Sequence, residues 1–337
     1  MSKRSRDAIQ ATLAKHYRQV GVTIINTPED LNNLITKKPD LVFLGMKFVP
    51  VVTALAHNEP NKFWISEFLD NNNINYTGSS KRAHIRELNK DIAKDLMIEA
   101  GISTADFYLA KRDQPATWKN KSLEYPVFIK PSNRGGGLGI DDFSIAYNQA
   151  AINDKASSVA DKLRSDTLVE EYLSGQEYSV AILRRPLSDD YDSMAVQLST
   201  GQDGGGVSFI SSAIKQANSE VVKVVSDYEM SAKLSTLALG AFHALGGRDY
   251  GRIDVRLDSH GEPHFLEANL LPSLIEDYGS FPKSCVLNEQ IDYETMILNI
   301  VDLAFARRPQ VREFVLRKNV APATSFGQGL PSSASAC

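Results

Sequence analysis

Two short runs in the last third of the chain carry the side chains best spaced to act together. The first is Arg252-Ile-Asp-Val-Arg-Leu-Asp258 and the second is Pro263-His-Phe-Leu-Glu-Ala-Asn269. Both alternate in polarity, and Ser259-His-Gly-Glu262 between them holds a turn glycine, so the pair predicts a β-hairpin. A four-residue loop at 259–262 sets Asp258 against Pro263, Val255 against Leu266 and Ile253 against Ala268. The opposite face then carries Asp254 across from Glu267 and Arg252 across from Asn269. Directly opposed Cβ atoms lie about 4.5–5.5 Å apart, where like charges repel. Two carboxylates and an amide carbonyl form an all-oxygen set for a hard cation such as Mg²⁺, which removes that repulsion and keeps sites for water and phosphate oxygens. Arg252, on the same face as Asp254, suits a phosphoryl or oxyanion group. Taken by itself, the pattern is equally that of a half-exposed strand pair with a polar outer face.

The elements that must hold this hairpin follow from periodicity. Ile9, Leu13 and Tyr17 recur every four residues and Gly21 stops them, predicting a helix over 5–20. Val22–Ile25, Leu41–Leu44 and Ile74–Tyr76 read as short buried strands. Thr27-Pro28-Glu29-Asp30 reads as a helix start with a capping hydroxyl, and Phe63–Leu69 as a further helix. That alternation predicts a parallel sheet in the first third. Asn89 then caps a helix with Ile92, Leu96 and Met97 on its apolar face, ended by Gly101. Strands follow at Val127–Pro131, Thr167–Glu170 and Glu177–Ile182, with a glycine-rich turn at Arg134–Gly139. Ser226 and Glu229 form a capping-box pair for a long helix whose buried stripe is Met230, Leu234, Leu237, Ala241 and Leu245. Tyr293–Ala306 is the last helix, and residues 319–337 have the composition of a disordered tail.

Composition narrows the function classes. The 337 residues carry 37 Lys+Arg against 41 Asp+Glu, a net charge of −4, with no basic block to track a nucleic-acid backbone. Hydrophobic residues make up 42%, enough for two or three cored domains. No apolar run approaches the length of a membrane span, and the basic start Met1-Ser-Lys-Arg lacks the apolar stretch of a signal peptide. Two cysteines, Cys285 and Cys337, give no disulfide framework. The expectation is a cytoplasmic protein that binds neither nucleic acid nor membrane.

The order of these segments resembles the ATP-grasp ligases, specifically the D-alanine–D-alanine ligase family. Gly251-Arg-Ile-Asp254 with Leu266-Glu-Ala-Asn269 and Pro272 is similar to that family's C-terminal signature. Tyr76-Thr-Gly-Ser79, Asn89-Lys90, Ile129-Lys-Pro-Ser132 with Gly135–Gly139, and Val169-Glu170 through Glu177 fall in the family's order, so the resemblance runs over roughly 8–318. It implies an α/β fold, α+β in its central and C-terminal parts: an ATP-grasp fold preceded by a shortened Rossmann-like domain. The implied units are 1–86 (pre-ATP-grasp), 87–173 (central, with the glycine loop), 174–318 (metal site and substrate segment) and the tail 319–337.

The resemblance also implies roles. Lys90 and Lys130 bind ATP phosphates, with Gly136 and Gly137 in the covering loop; Glu170, Tyr172 and Leu173 form the hinge beside the adenine, with Leu266 completing the nucleotide site. Glu177 holds the ribose hydroxyls, and Lys215 reaches the γ-phosphate. Asp254, Glu267 and Asn269 hold one or two Mg²⁺ ions, for which Mn²⁺ can substitute. Arg252 stabilises charged intermediates, and Ser273 and Ser280 lie in the substrate segment. The implied reaction joins small-molecule amino acids or carboxylates into an amide at the expense of ATP, in a chain that pairs as a homodimer. Departures gather at the first substrate. The chain starts after the strand carrying the family's ammonium-binding Glu, Gly136-Gly137 replaces a Ser pair, and Gln216 replaces the lid Tyr. Ser273 stands where the family has Gly, and Gly201–Gly206 reads as an insertion. Glu276 and Asp277 are the nearby acids that could replace the missing Glu. Two other readings share the nucleotide residues: a ligase for a different amino acid, hydroxy acid or peptide, and an ATP-binding protein without ligase activity.

Overall fold

The computed structural model describes residues 1–50, 61–120, 122–199 and 221–307. Helices α1 (Lys3–His16) and α2 (Asp30–Thr36) lead to strands β1 (Phe48–Pro50) and β2 (Lys62–Trp64), then helices α3 (Ile65–Asn71), α4 (Lys81–Leu88) and α5 (Lys90–Glu99). The central part holds β3 (Phe107–Ala110), β4 (Val127–Pro131), β5 (Ile145–Ala146), α6 (Gln149–Leu163) and β6 (Thr167–Glu171). The last part holds β7 (Glu177–Arg184), β8 (Tyr191–Ser199), β9 (Val221–Val224), α7 (Tyr228–Leu245), β10 (Tyr250–Leu257), β11 (Pro263–Asn269), α8 (Ser280–Glu289) and α9 (Tyr293–Ala306).

Two antiparallel sheets frame the molecule. Four strands run in the order β3-β6-β4-β5 and five in the order β11-β10-β7-β8-β9. Strand β7 is buried along nearly its whole length because both of its faces are covered. Val180 and Ile182 point into one core with Leu234, Ala238, Ala241 and Phe242 of α7. Ala181 and Leu183 point into another with Phe281 of α8, Ile297 and Ile300 of α9, and Ile9 and Leu13 of α1. Each Val, Leu, Ile or Phe side chain among them contributes roughly 1.5–3 kcal/mol on burial. The four-stranded sheet is backed by α6, with Val127, Ile129, Ile152 and Val169 in one cluster.

The first third departs from the expected parallel sheet. Val22–Ile25 forms no strand, and Leu41–Leu44 meets Ile74–Tyr76 only at one parallel bridge, Val42 to Tyr76. The ladder stops there because the Leu44 N–H donates to the Thr77 hydroxyl instead of a backbone carbonyl. Phe63 and Trp64, expected to open the helix 63–69, belong instead to strand β2, paired antiparallel with β1. Several caps also differ. Helix α1 ends at His16, with Tyr17 already extended. The Asp30 carboxylate, not Thr27, gathers the N–H groups before α2, accepting from Asn26 at 2.8 Å and Thr27 at 3.0 Å. Asn89 precedes α5 but turns its amide back to the Ile85 carbonyl of α4, at 2.8 Å. Ile92 of α5 is exposed, and the buried face is Lys90, Ala93, Lys94 and Met97. Asp227 caps α7 in place of the Ser226–Glu229 pair, accepting from the Glu229 and Met230 N–H groups. The tail 319–337 lies outside the described residues.

Candidate functional site

The hairpin β10–β11 has the expected register at the chemically important end. Arg252 faces Asn269, Ile253 faces Ala268 and Asp254 faces Glu267. Beyond Asp254 the register shifts, so Val255 faces Phe265 and Leu257 faces Pro263, leaving Leu266 as the extra residue of a β-bulge. The expected pairs Val255–Leu266 and Asp258–Pro263 are therefore corrected. Asp258 leaves the strand to organise the turn, its carboxylate accepting the His260 and Glu262 N–H groups at 2.8 Å each. The bulge turns both Leu266 and Glu267 toward a cleft, while Phe265 takes the apolar position.

That cleft lies between the two sheets and is lined by Phe128, Lys130, Glu170, Leu173, Asp254 and Glu267, among others. Phe128 and Lys130 alternate with the core residues Val127 and Ile129 along β4, and so face the cleft. Glu170, on β6, is almost fully buried between two ammonium groups: Lys130 Nζ lies 2.6 Å from Oε1 and Lys94 Nζ 3.0 Å from Oε2. Burial by itself raises the Glu170 carboxyl, but Lys130 and then Lys94 outweigh it and hold it below the usual range. Burial pushes the Lys94 and Lys90 ammoniums down, with Glu170 and Glu267 respectively pulling back. Lys90 Nζ donates to the Arg134 carbonyl at the root of the glycine loop and lies 3.9 Å from Glu267. In that loop Gly136 and Gly137 have φ of 67° and 75°, a region open to glycine at little cost.

A chain of polar contacts joins the hairpin to the helix after it. Arg252 grips Asp254 with two bonds, Nε to Oδ1 at 2.8 Å and Nη2 to Oδ2 at 2.7 Å. The Ser179 hydroxyl donates to the same Oδ1 at 3.0 Å and shares a 2.9 Å hydrogen bond with Ser280 Oγ at the start of α8. Asp254, Ser179 and Ser280 are all buried. Asp254 and Glu267 face each other, and Asn269 is the next polar residue on the same strand. This all-oxygen donor set suits a divalent hard cation, which would share Asp254 with Arg252 and Ser179.

Other expected site residues fall nearby or elsewhere. Tyr172, Leu173 and Glu177 line the same cleft as Lys130 and Asp254. Ser273 is exposed, as are Glu276 and Asp277, and none of the three lines the cleft. Lys215, Gln216 and the Gly201–Gly206 run lie outside the described residues. The motifs of the sequence do not single out three buried polar residues of the site: Lys94, Ser179 and Arg256. Lys94 is one helical turn from Lys90 on the same face of α5, a spacing visible in advance. Ser179, on β7, is directly opposite Asp254 of β10, which only the pairing of distant strands reveals.

Comparison with known proteins agrees with this architecture. A D-alanine–D-alanine ligase of Hydrogenovibrio crunogenus is 25% identical over 272 residues, covering 80% of this chain and 82% of the relative. A protein of the same name from Alcanivorax borkumensis is 32% identical over 214 residues, covering 63% and 64%. The crystal structure of a D-alanine–D-alanine ligase from Bacillus anthracis superposes with a TM-score of 0.68 at 19% identity, over 92% of this chain and 96% of that one, which shows a shared ATP-grasp fold. The family model for the D-Ala–D-Ala ligase C-terminus matches residues 96–302, the stretch that supplies every strand of the cleft. By that match the chain belongs to the D-Ala–D-Ala ligase C-terminal family and is a D-Ala–D-Ala ligase-like ATP-grasp protein.

Proposed function

We propose that the protein is an ATP-dependent carboxylate–amine ligase that forms an amide through an acylphosphate. The observation that carries this reading is the cleft face of β10, where Arg252 and Asp254 stand beside Glu267 with Lys90 close by. Lys90 and Lys130 supply positive charge to the ATP phosphates as point donors. Tyr172, Leu173 and Leu266 wall the adenine, and Glu177 accepts from the ribose hydroxyls. The γ-phosphoryl group passes to a carboxylate oxygen of the first substrate, releasing ADP. The second substrate's amine then attacks the acyl carbon, loses a proton, and expels phosphate. Arg252 steadies the oxyanion of that step, held in place by its two bonds to Asp254. Ser280 orients the second substrate's carboxylate, and Lys215 serves the γ-phosphate. Bound at Asp254, Glu267 and Asn269, Mg²⁺ or Mn²⁺ supplies charge neutralisation at the phosphates. The glycine loop, rooted by Lys90 at Arg134, keeps water from the acylphosphate.

The first substrate is proposed more broadly than D-alanine. Gly136-Gly137 offers no side-chain hydroxyls where the family has a Ser pair. That difference in the loop favours a first substrate other than D-alanine. The test is phosphate release from Mg·ATP with D- and L-amino acids and hydroxy acids, singly and in pairs, with Glu267→Gln as control. Release that depends on Glu267 and yields an amide by mass supports the ligase. ATP binding with no release on any pair would replace it with the reading of a non-catalytic ATP-binding protein.

A further inference from the structure

The two-residue period of β10 places a third charged side chain on the face that bears Arg252 and Asp254. It is Arg256, buried at 7% exposure in the wall of the cleft. Arg256 lies directly across from Glu177 on the paired strand β7. Its Nη1 is 3.7 Å from Glu177 Oε2, its Nε donates to the Gly175 carbonyl at 3.1 Å, and its Nη2 lies 3.3 Å from the Tyr172 hydroxyl. The guanidinium carbon also stands 5.3 Å from the centre of the Tyr172 ring, within cation–π range. One planar cation thus touches residues 172, 175 and 177, spanning the link between the two sheets.

The backbone beneath is pinned to the same strand. The Gly175 N–H donates to the Leu257 carbonyl and the Leu257 N–H to the Gln176 carbonyl, each at 3.0 Å. A Cβ on Gly175 would sit 2.7 Å from the Leu257 carbonyl oxygen and 2.9 Å from that of Asp258, so the approach is as close as backbone permits. With the hinge already anchored by its main chain, a buried guanidinium is an expensive way to add packing. What it adds is a fixed place for one carboxylate and one aromatic ring.

We propose that Arg256 is a positioning residue for the sugar of the nucleotide: it holds the Glu177 carboxylate where ribose hydroxyls are read. This rests on the reading of the cleft as an ATP site with Glu177 at the ribose. It predicts discrimination of the sugar, a property that packing alone would not move.

The experiment measures direct binding of Mg·ATP and of Mg·2′,3′-dideoxy-ATP to the full chain and to Arg256→Met, Arg256→Lys and Glu177→Gln. The wild type binds ATP about tenfold or more tighter than the dideoxy nucleotide, the loss expected when a charged acceptor loses its partners. Arg256→Met weakens ATP by about tenfold, leaves the dideoxy nucleotide within about twofold, and so collapses the ratio toward one. Arg256→Lys retains part of the ratio, and adding it to Glu177→Gln changes the ratio no further. A wild-type ratio in both Arg256→Met and Arg256→Lys overturns the positioning role, whatever their melting temperatures. Should Arg256→Met not fold, Arg256→Lys and the double variant decide by the same ratio. A wild type that binds both nucleotides equally removes Glu177 from the ribose and this inference with it. A wild type that binds neither overturns the ATP-site reading as a whole.

Discussion

Glu170 shows how a single buried charge can organise a site. Its carboxylate is shared by Lys94 and Lys130, and Lys94 makes further bonds to the Thr104 hydroxyl at 2.8 Å and the Ala105 carbonyl at 3.0 Å. Replacing Glu170 with Gln leaves two buried ammoniums without their counter-charge, which costs about 3–5 kcal/mol. Because the folded carboxyl is held below its ordinary value, its stabilisation is complete above the unfolded carboxylate range near about pH 4.3 and fades as pH falls through the lower folded value. The gap in urea midpoint between wild type and Glu170→Gln is therefore expected to be widest near neutrality and to narrow toward acid. A gap that stays constant down to about pH 3 would show that the charge is not what matters. Lys90 predicts the opposite balance. Burial lowers its ammonium, which faces Glu267 only at 3.9 Å, and the bond to the Arg134 carbonyl offsets only part of that cost, so the ligand-free fold gains little from the charge. Lys90→Met is expected to melt no lower than the wild type in the absence of nucleotide while binding ATP at least about tenfold more weakly. Differential scanning fluorimetry with and without Mg·ATP reads both terms, and a lower melting point without nucleotide would overturn this account.

The bulge at Leu266 shows what an element must do for its residues to work. An unbroken two-residue alternation would send Leu266 into the core when Glu267 faces the cleft; one extra residue brings both to the same side. The freed backbone is satisfied by the segment after α5. The Phe265 N–H donates to the Ser103 carbonyl at 2.8 Å, and the Phe265 carbonyl accepts from the Thr104 hydroxyl at 2.9 Å. Thr104 also accepts from Lys94, so the bulge and the Glu170 cluster share one hydroxyl. Thr104→Val keeps the shape and removes that link, and is expected to cost about 1–3 kcal/mol and to weaken ATP severalfold. Chemical denaturation and nucleotide titration check it, and a variant of wild-type stability would remove Thr104 from the design. The same elements show how far sequence reading reaches. The strand pair from Arg252 to Asp254, the start and end of α9, and the αL glycine after α7 follow from local spacing. The bulge, the use of Asp258 in the turn and the pairing of Ser179 with Asp254 do not, because each is decided by contacts distant in the chain. The short strands expected in the first third fail for a related reason: at Leu44 a threonine side chain takes the ladder bond, and no hydropathy pattern encodes that substitution.

At the scale of the whole molecule, the first third is joined to the rest at a polar knot. Among the described residues its own cluster of buried apolar side chains is small: Leu31, Leu34, Leu44, Ile65, Leu69, Ile74 and Tyr76. Helix α1 does not belong to that cluster but packs with α9, so the start of the chain shares a core with the last of the described helices. The knot centres on Asp249, fully buried and held at φ 65°, a left-handed conformation that an Asp tolerates at a cost of about 1–2 kcal/mol. Its carboxylate accepts the Gly78 N–H at 2.8 Å and both oxygens are met by Arg307 at the end of α9. Arg307 also reaches the Tyr76 carbonyl, Arg248 donates to the Gly78 carbonyl at 2.6 Å, and Asn75 donates to the Ala304 carbonyl at 2.6 Å. A small core tied on by buried charge should lose its coupling when the charge is removed. Asp249→Asn keeps the backbone preference and the size of the side chain but leaves Arg307 without its carboxylate, a cost of about 3–5 kcal/mol concentrated at the junction. The expected calorimetric result is one transition in the wild type and two in Asp249→Asn, the lower one from the first third. Mg·ATP should then raise the upper transition only, because the cleft is built from the two sheets and α5, all beyond residue 89, and a ligand stabilises only the unit that binds it. A single transition merely moved to lower temperature would mean that the apolar contacts couple the parts without help from the knot.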